Sequence, residues 1–146
     1  MPESSPVIVN ADNQVVGRLS SMVAKMLLDG KKVVIVNAGG AVISGTKTAT
    51  LREIREFDNV RSAVNPKNTP RHFSRPDMMM KRTIRGMLPR RKPKGREALK
   101  RLRICLGMPT AVEGEPLVLE GTSATKLSHK YVKLQEISDR IRSQGR

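Results

Sequence analysis

The chain has 146 residues, enough for one domain with a buried core, and carries 28 Lys and Arg against 13 Asp and Glu, a formal net charge of +15. Its single cysteine excludes a disulfide framework and suits a reducing compartment, and no long apolar run or signal-peptide segment appears, so neither membrane spanning nor secretion is expected. Two Phe, one Tyr and no Trp are too few to build the aromatic platforms on which single strands stack, so a polyanion bound here is expected to be folded and double-stranded.

Val7–Val9 has the composition of a short strand, and Asn10–Val16 is polar and turn-like. From Gly17, Leu19, Val23, Met26 and Leu27 recur at helical spacing until Gly30 ends the pattern. Lys31–Asn37 is a continuous β-branched run, as in a strand buried on both faces. Strand, helix and buried strand form a βαβ unit, which predicts a parallel sheet with a right-handed crossover. Gly39 and Gly40 turn the chain, Ala41–Ser44 is a third strand candidate, and Gly45–Thr46 opens a helix carrying Leu51, Ile54 and Phe57. Residues 58–74, with Pro66 and Pro70, read as a long irregular excursion.

The stretch Arg75–Gly107 organises the rest. Ser74 and Asp77 have capping-box spacing around Pro76, and a helix is expected to run to Leu88, ahead of Pro89. Met80, Ile84, Met87 and Leu88 share one face of it, and Lys81, Arg82 and Arg85 the other. A second helix is expected over about Arg96–Leu106, with Ala98, Leu99, Leu102, Cys105 and Leu106 inward, Arg96, Lys100 and Arg103 outward, and Gly107 as its C-cap. Between them the basic loop RRKPK should be extended by its own repulsion, and the loop Pro89–Gly95 mobile without a polyanion. Beyond it, Thr110–Gly114 reads as a loop, Pro116–Leu119 stays unassigned, Tyr131–Leu134 is a last strand and Glu136–Arg142 a terminal helix.

The charge is concentrated. Residues 1–66 hold 8 basic and 6 acidic residues, residues 67–103 hold 14 and 2, and residues 104–146 hold 6 and 5. A solubility device would be spread more evenly, so this block marks a polyanion site, most often nucleic acid.

Other constellations carry less. Gly40–Thr48 (GAVISGTKT) resembles a phosphate loop, but Thr46 displaces Lys47 from the position directly after the second Gly, and the interior is apolar. A strand, a glycine turn and Thr46 as helix N-cap account for it; a phosphate at that helix N-terminus remains compatible. No dinucleotide fingerprint follows the first strand. His72 and His129 lack companions at metal-ligand spacing, and no nucleophile–base pair stands out, so neither a metal, a cofactor nor an enzymatic activity is expected. His72, among Arg71, Arg75 and prolines, reads as a nucleic-acid backbone contact, and His129 as a surface residue. Cys105 reads as core, and Glu113, Glu115, Glu120, Glu136 and Asp139 as solvated. In the triplet Met78–Met80 only Met80 lies centrally on the apolar face, which favours core packing over a plastic peptide-binding surface. A membrane-surface role suits the basic helices weakly, because interfacial helices favour Trp, Phe and Leu on the apolar face.

IRGMLP (Ile84–Pro89), Gly95–Arg96 and LRICLG (Leu102–Gly107) together are similar to the signature of the universal L-thirteen family of large-subunit ribosomal proteins. GRLSSMVAKMLLDGKKVVIVNAGGAVISG (Gly17–Gly45) resembles the family's archaeal and eukaryotic form, and the short C-terminus resembles archaeal members. The resemblance covers roughly Val7 to Ile141. It implies a three-layer α/β/α domain with a small, mainly parallel sheet, no enzymatic activity, and binding to large-subunit rRNA early in subunit assembly. It also implies neighbouring ribosomal proteins as partners, a cytoplasmic location on the ribosome, and packing roles for Leu88, Leu102 and Ile104. Its RNA-facing positions centre on Lys81, Arg82, Arg85, Gly86, Arg90, Arg91, Lys92, Lys94, Gly95 and Arg96. With the surrounding charge, the expected RNA-binding set adds Lys67, Arg71, His72, Arg75, Lys100 and Arg103. Residues 1–146 are expected to form one ribosomal-protein domain: an α/β core over 6–60, a basic excursion over 67–107, and a return to the core over 108–146.

Overall fold

The computed structural model describes residues 5–110 and 114–143. Ten principal elements follow one another: β1 (Val7–Asn10), α1 (Val16–Leu28), β2 (Val33–Val36), β3 (Val42–Ser44), α2 (Lys47–Asp58), α3 (Pro76–Met87), α4 (Pro93–Lys100), β4 (Leu102–Ile104), β5 (Tyr131–Lys133) and α5 (Leu134–Ser143). The class is α/β, as the sequence predicts.

The βαβ unit stands where the periodicity puts it. All four residues of β2 are buried, and β2 is the central strand of a parallel sheet ordered β1-β2-β4. Val7 pairs with Val33 on one side, and Val33 with Leu102 on the other. Leu19, Val23 and Leu27 of α1 are fully buried in the main core with Val9, Val33 and Ile35, and Met80 and Ile84 of α3 join the same cluster. Ile8, Val34 and Val36 form a second, smaller cluster against which Cys105 packs. Pro116–Leu119 acquires a role: Leu117 makes a single parallel bridge to Val9, extending the sheet beyond β1.

The third and last strands form their own antiparallel pair, with Val42 opposite Lys133 and Ser44 opposite Tyr131. Around them the chain is tied closely. Asn37 takes a left-handed conformation at φ 56°, its side-chain amide donating to Asn10 Oδ1 at 3.1 Å. A Cβ on Gly40 would lie 3.2 Å from the Asp12 backbone and would displace the Asp12 carboxylate, so the turn after β2 packs tightly on the segment following β1.

Two expectations in the basic stretch are corrected. The second helix ends at Lys100, and Leu102–Ile104 is a strand rather than its continuation. Leu99, Leu102 and Leu106 fit a helical stripe, but Leu102 and Ile104 flanking Arg103 also fit a period of two. Tertiary pairing decides between them. The β2 edge takes up this backbone, with Val33 N–H donating to the Arg101 carbonyl at 3.1 Å and Cys105 N–H to the Ile35 carbonyl at 2.8 Å. Gly107 is therefore not a helix cap: its carbonyl accepts from Asn37 N–H. Likewise, RRKPK is not extended. Lys92 N–H donates to the Pro89 carbonyl at 2.9 Å, and the helix begins at Pro93.

Candidate nucleic-acid interface

α3 is set by Pro76 at its first turn and ended by the extended Leu88 before Pro89. Its N-cap is Arg75, not Ser74, and no side chain caps it. Arg75 Nη2 instead donates to Asp77 Oδ2 at 3.1 Å. Met80, Ile84 and Leu88 are buried, which turns the opposite face of the helix outward with Lys81, Arg82 and Arg85. Met87, expected inward, is 43% exposed, at the edge of the face on which Met80, Ile84 and Leu88 are buried.

Pro89–Lys92 turns the chain tightly into α4. Gly95, the third residue of α4, is buried, and a Cβ there would lie 2.5 Å from the Pro89 carbonyl carbon. Only a residue without a side chain allows α4 to close against the turn. The contact gathers Arg90, Arg91, Lys92, Lys94 and Arg96 at one corner, all exposed. Lys100 and Arg103 continue the exposed series at the end of α4 and on β4. Ahead of α3, Lys67 is exposed on a short 3-10 turn at Pro66–Asn68, and Arg71 is exposed in the extended stretch after it.

Thirteen of the fourteen cations in residues 67–103 are thus exposed. The remaining one, Arg101, is half-buried and its Nη2 donates to the Leu27 carbonyl at 2.9 Å, a bond that ties α4 to α1. Among the described residues, the ion pair made by a Lys or Arg of this block is Arg75–Asp77. Such a row of unneutralised cations repels itself, and an anionic partner relieves that repulsion.

Three of the expected site residues are not exposed cations. His72 is turned inward, its side chain 14% exposed, Nδ1 3.3 Å from Asp58 Oδ1 and its ring edge-on to Phe57 at 4.8 Å. It braces the excursion against α2 rather than facing outward. Gly95 faces Pro89, as described above, whereas Gly86 is exposed on α3 with open space around it.

The phosphate-loop likeness dissolves into ordinary structure. Gly45 turns at φ 131°, Thr46 caps α2 by accepting from Ala49 N–H at 3.4 Å, and Lys47 Nζ pairs with Glu136 of α5 at 3.2 Å. Glu115, Glu120 and Asp139 are exposed, and Glu113 lies outside the described residues.

A family model described as ribosomal protein L13 matches residues 4–110, a span that takes in the βαβ unit and the whole basic stretch. The chain belongs to the ribosomal protein L13 family. Curated relatives agree with the archaeal likeness. The large ribosomal subunit protein uL13 of Haloarcula marismortui is 44% identical over 138 residues, covering 92% of this chain and 90% of the relative. That of Methanococcoides burtonii is 41% identical over 138 residues, covering 93% and 97%. That of Saccharolobus solfataricus is 39% identical over 137 residues, covering 92% and 91%. The signature residues fall into two groups: Leu88 and Leu102 are buried, whereas Arg85, Arg96 and Arg103 are exposed.

Phe73, Met78 and Leu99, none of them among the expected site residues, line a cavity beside the cations of α3. Their signal was present. Met78, Lys81, Arg82 and Arg85 fall at i, i+3, i+4 and i+7, so one apolar residue belongs to the outward stripe.

Proposed function

We propose that this protein is a structural constituent of the large ribosomal subunit, where it binds folded rRNA through phosphate contacts and supports early subunit assembly. The observation that carries the reading is the outward row of cations on α3, the Pro89 turn, α4 and β4, in a member of a ribosomal protein family. The binding set is Lys67, Arg71, Arg75, Lys81, Arg82, Arg85, Arg90, Arg91, Lys92, Lys94, Arg96, Lys100 and Arg103. Its partners are large-subunit rRNA and neighbouring ribosomal proteins, and its location is the cytoplasmic ribosome. The work done is positional: cations neutralise phosphates where RNA segments converge, releasing counterions, and the α/β core holds them in place.

The tagged chain expressed in an archaeal host should sediment with large subunits and stay bound through moderate salt washes. Recovery only in the soluble pool, from cells whose own copy is depleted, would contradict the reading.

A further inference from the structure

Beside the cationic stripe of α3 lies a cavity of about 190 Å³. Arg71, Lys81, Arg82 and Arg85 border it, and Phe73, Met78 and Leu99 give it an apolar surface. Met78 and the three cations of α3 share one helical stripe, Phe73 arrives from the stretch just ahead of the helix, and Leu99 belongs to α4. Arg82 is held in place by its own stacking, the guanidinium lying 4.0 Å from the centroid of the Phe57 ring. Phe73 also lines a larger neighbouring cavity of about 390 Å³ with Ile54, Phe57 and Met79.

This combination is poorly matched to a paired RNA helix. A duplex offers such a surface phosphates and riboses, with its bases stacked inside. Cations alone would suffice for that, and an apolar floor would remain wetted and unused. An apolar peptide side chain would use the floor but leave four cations without anions. An unstacked nucleotide satisfies both: its phosphates meet the cations and its base covers the apolar surface. We propose that this cavity receives the base of a single unstacked nucleotide of the folded RNA. Phe73 is its stacking surface, and Arg71, Lys81 and Arg85 hold the flanking phosphates. The inference rests on the rRNA-binding reading and deepens it, since one aromatic residue serves one nucleotide without a platform for a strand.

The test uses the full chain and protein-free large-subunit rRNA, with base and ribose reactivity probed at every nucleotide, free and bound. The wild type should protect the base of one unpaired nucleotide within the footprint. Phe73→Tyr, which keeps the ring, should preserve that protection. Phe73→Leu, which keeps apolar volume but not the ring, should lose it and weaken binding roughly 5- to 150-fold, the range for one base stacked on an aromatic side chain. Thermal melts of both variants verify that they fold.

Tight, salt-sensitive binding with backbone protection alone, identical in wild type and Phe73→Leu, would overturn base insertion while leaving the rRNA-binding reading intact. Failure of the wild type to bind the rRNA at all would overturn both. A photo-cross-link from position 73 to a neighbouring protein in purified subunits, and to no nucleotide, would assign the cavity to a peptide and refute the proposal.

Discussion

Two glycines of the basic stretch should respond to alanine in opposite directions. Gly86 lies in α3 with nothing within 4 Å of an added Cβ. Alanine there keeps the helical backbone, restricts the unfolded chain and should stabilise by about 0.4–1 kcal/mol. Gly95 lies in α4, where alanine has a similar intrinsic advantage of up to about 1 kcal/mol. Its Cβ, however, would sit 2.5 Å from the Pro89 carbonyl carbon and 3.1 Å from Arg90 N. Those neighbours are backbone atoms and cannot rotate aside. Overpacking of this kind costs about 1–3 kcal/mol or more, so the clash outweighs the propensity. A chain of this length changes its melting temperature by about 3–4 °C per kcal/mol. Gly86→Ala should therefore melt a few degrees higher than wild type, and Gly95→Ala several degrees lower, in calorimetric or circular-dichroism melts. A rise for Gly95→Ala equal to that for Gly86→Ala would refute the tight contact between the Pro89 turn and α4.

The two faces of the basic stretch separate in the same way. Ile84→Ala with Leu102→Ala removes two buried side chains at about 2–5 kcal/mol each, against a total of roughly 5–15 kcal/mol. Melting should fall sharply and RNA affinity only with the folded fraction; a double variant that melts like wild type would show that these residues are not core. Arg85→Gln with Arg103→Gln, both exposed, should shift stability by less than about 0.5 kcal/mol each yet weaken RNA binding in filter assays. Unfolding of this pair would mean the faces are assigned in reverse. Labelled ATP and GTP should not bind with micromolar affinity, because Thr46 displaces Lys47 from the phosphate-loop position and instead caps α2; micromolar binding abolished by Lys47→Ala would contradict this. The exposed Lys47–Glu136 pair should itself contribute under about 1 kcal/mol.

The first half of the fold was legible because one signal dominated each element. Four consecutive β-branched residues in β2 and the 3.6-residue recurrence in α1 leave no competing pattern. Around Leu102 two periods coincide, and the choice depended on a parallel partner about seventy residues earlier in the chain, which no local pattern records. The outward cations were legible from their number and from the apolar face opposite them. His72 was not, because its partner Asp58 lies across the irregular excursion and the pairing exists only once α2 and that segment are packed. The place of Phe73 was not legible either, because the cavity it lines with Met78 and Leu99 forms only once α3 and α4 are packed side by side.

The salt dependence of rRNA binding tests the central claim most directly. With fourteen cations in residues 67–103, and about half of them on phosphates at ~0.9 or somewhat less per contact, log affinity against log salt should fall with a slope of roughly −5 to −6. A slope near −1 would contradict a phosphate-dominated interface.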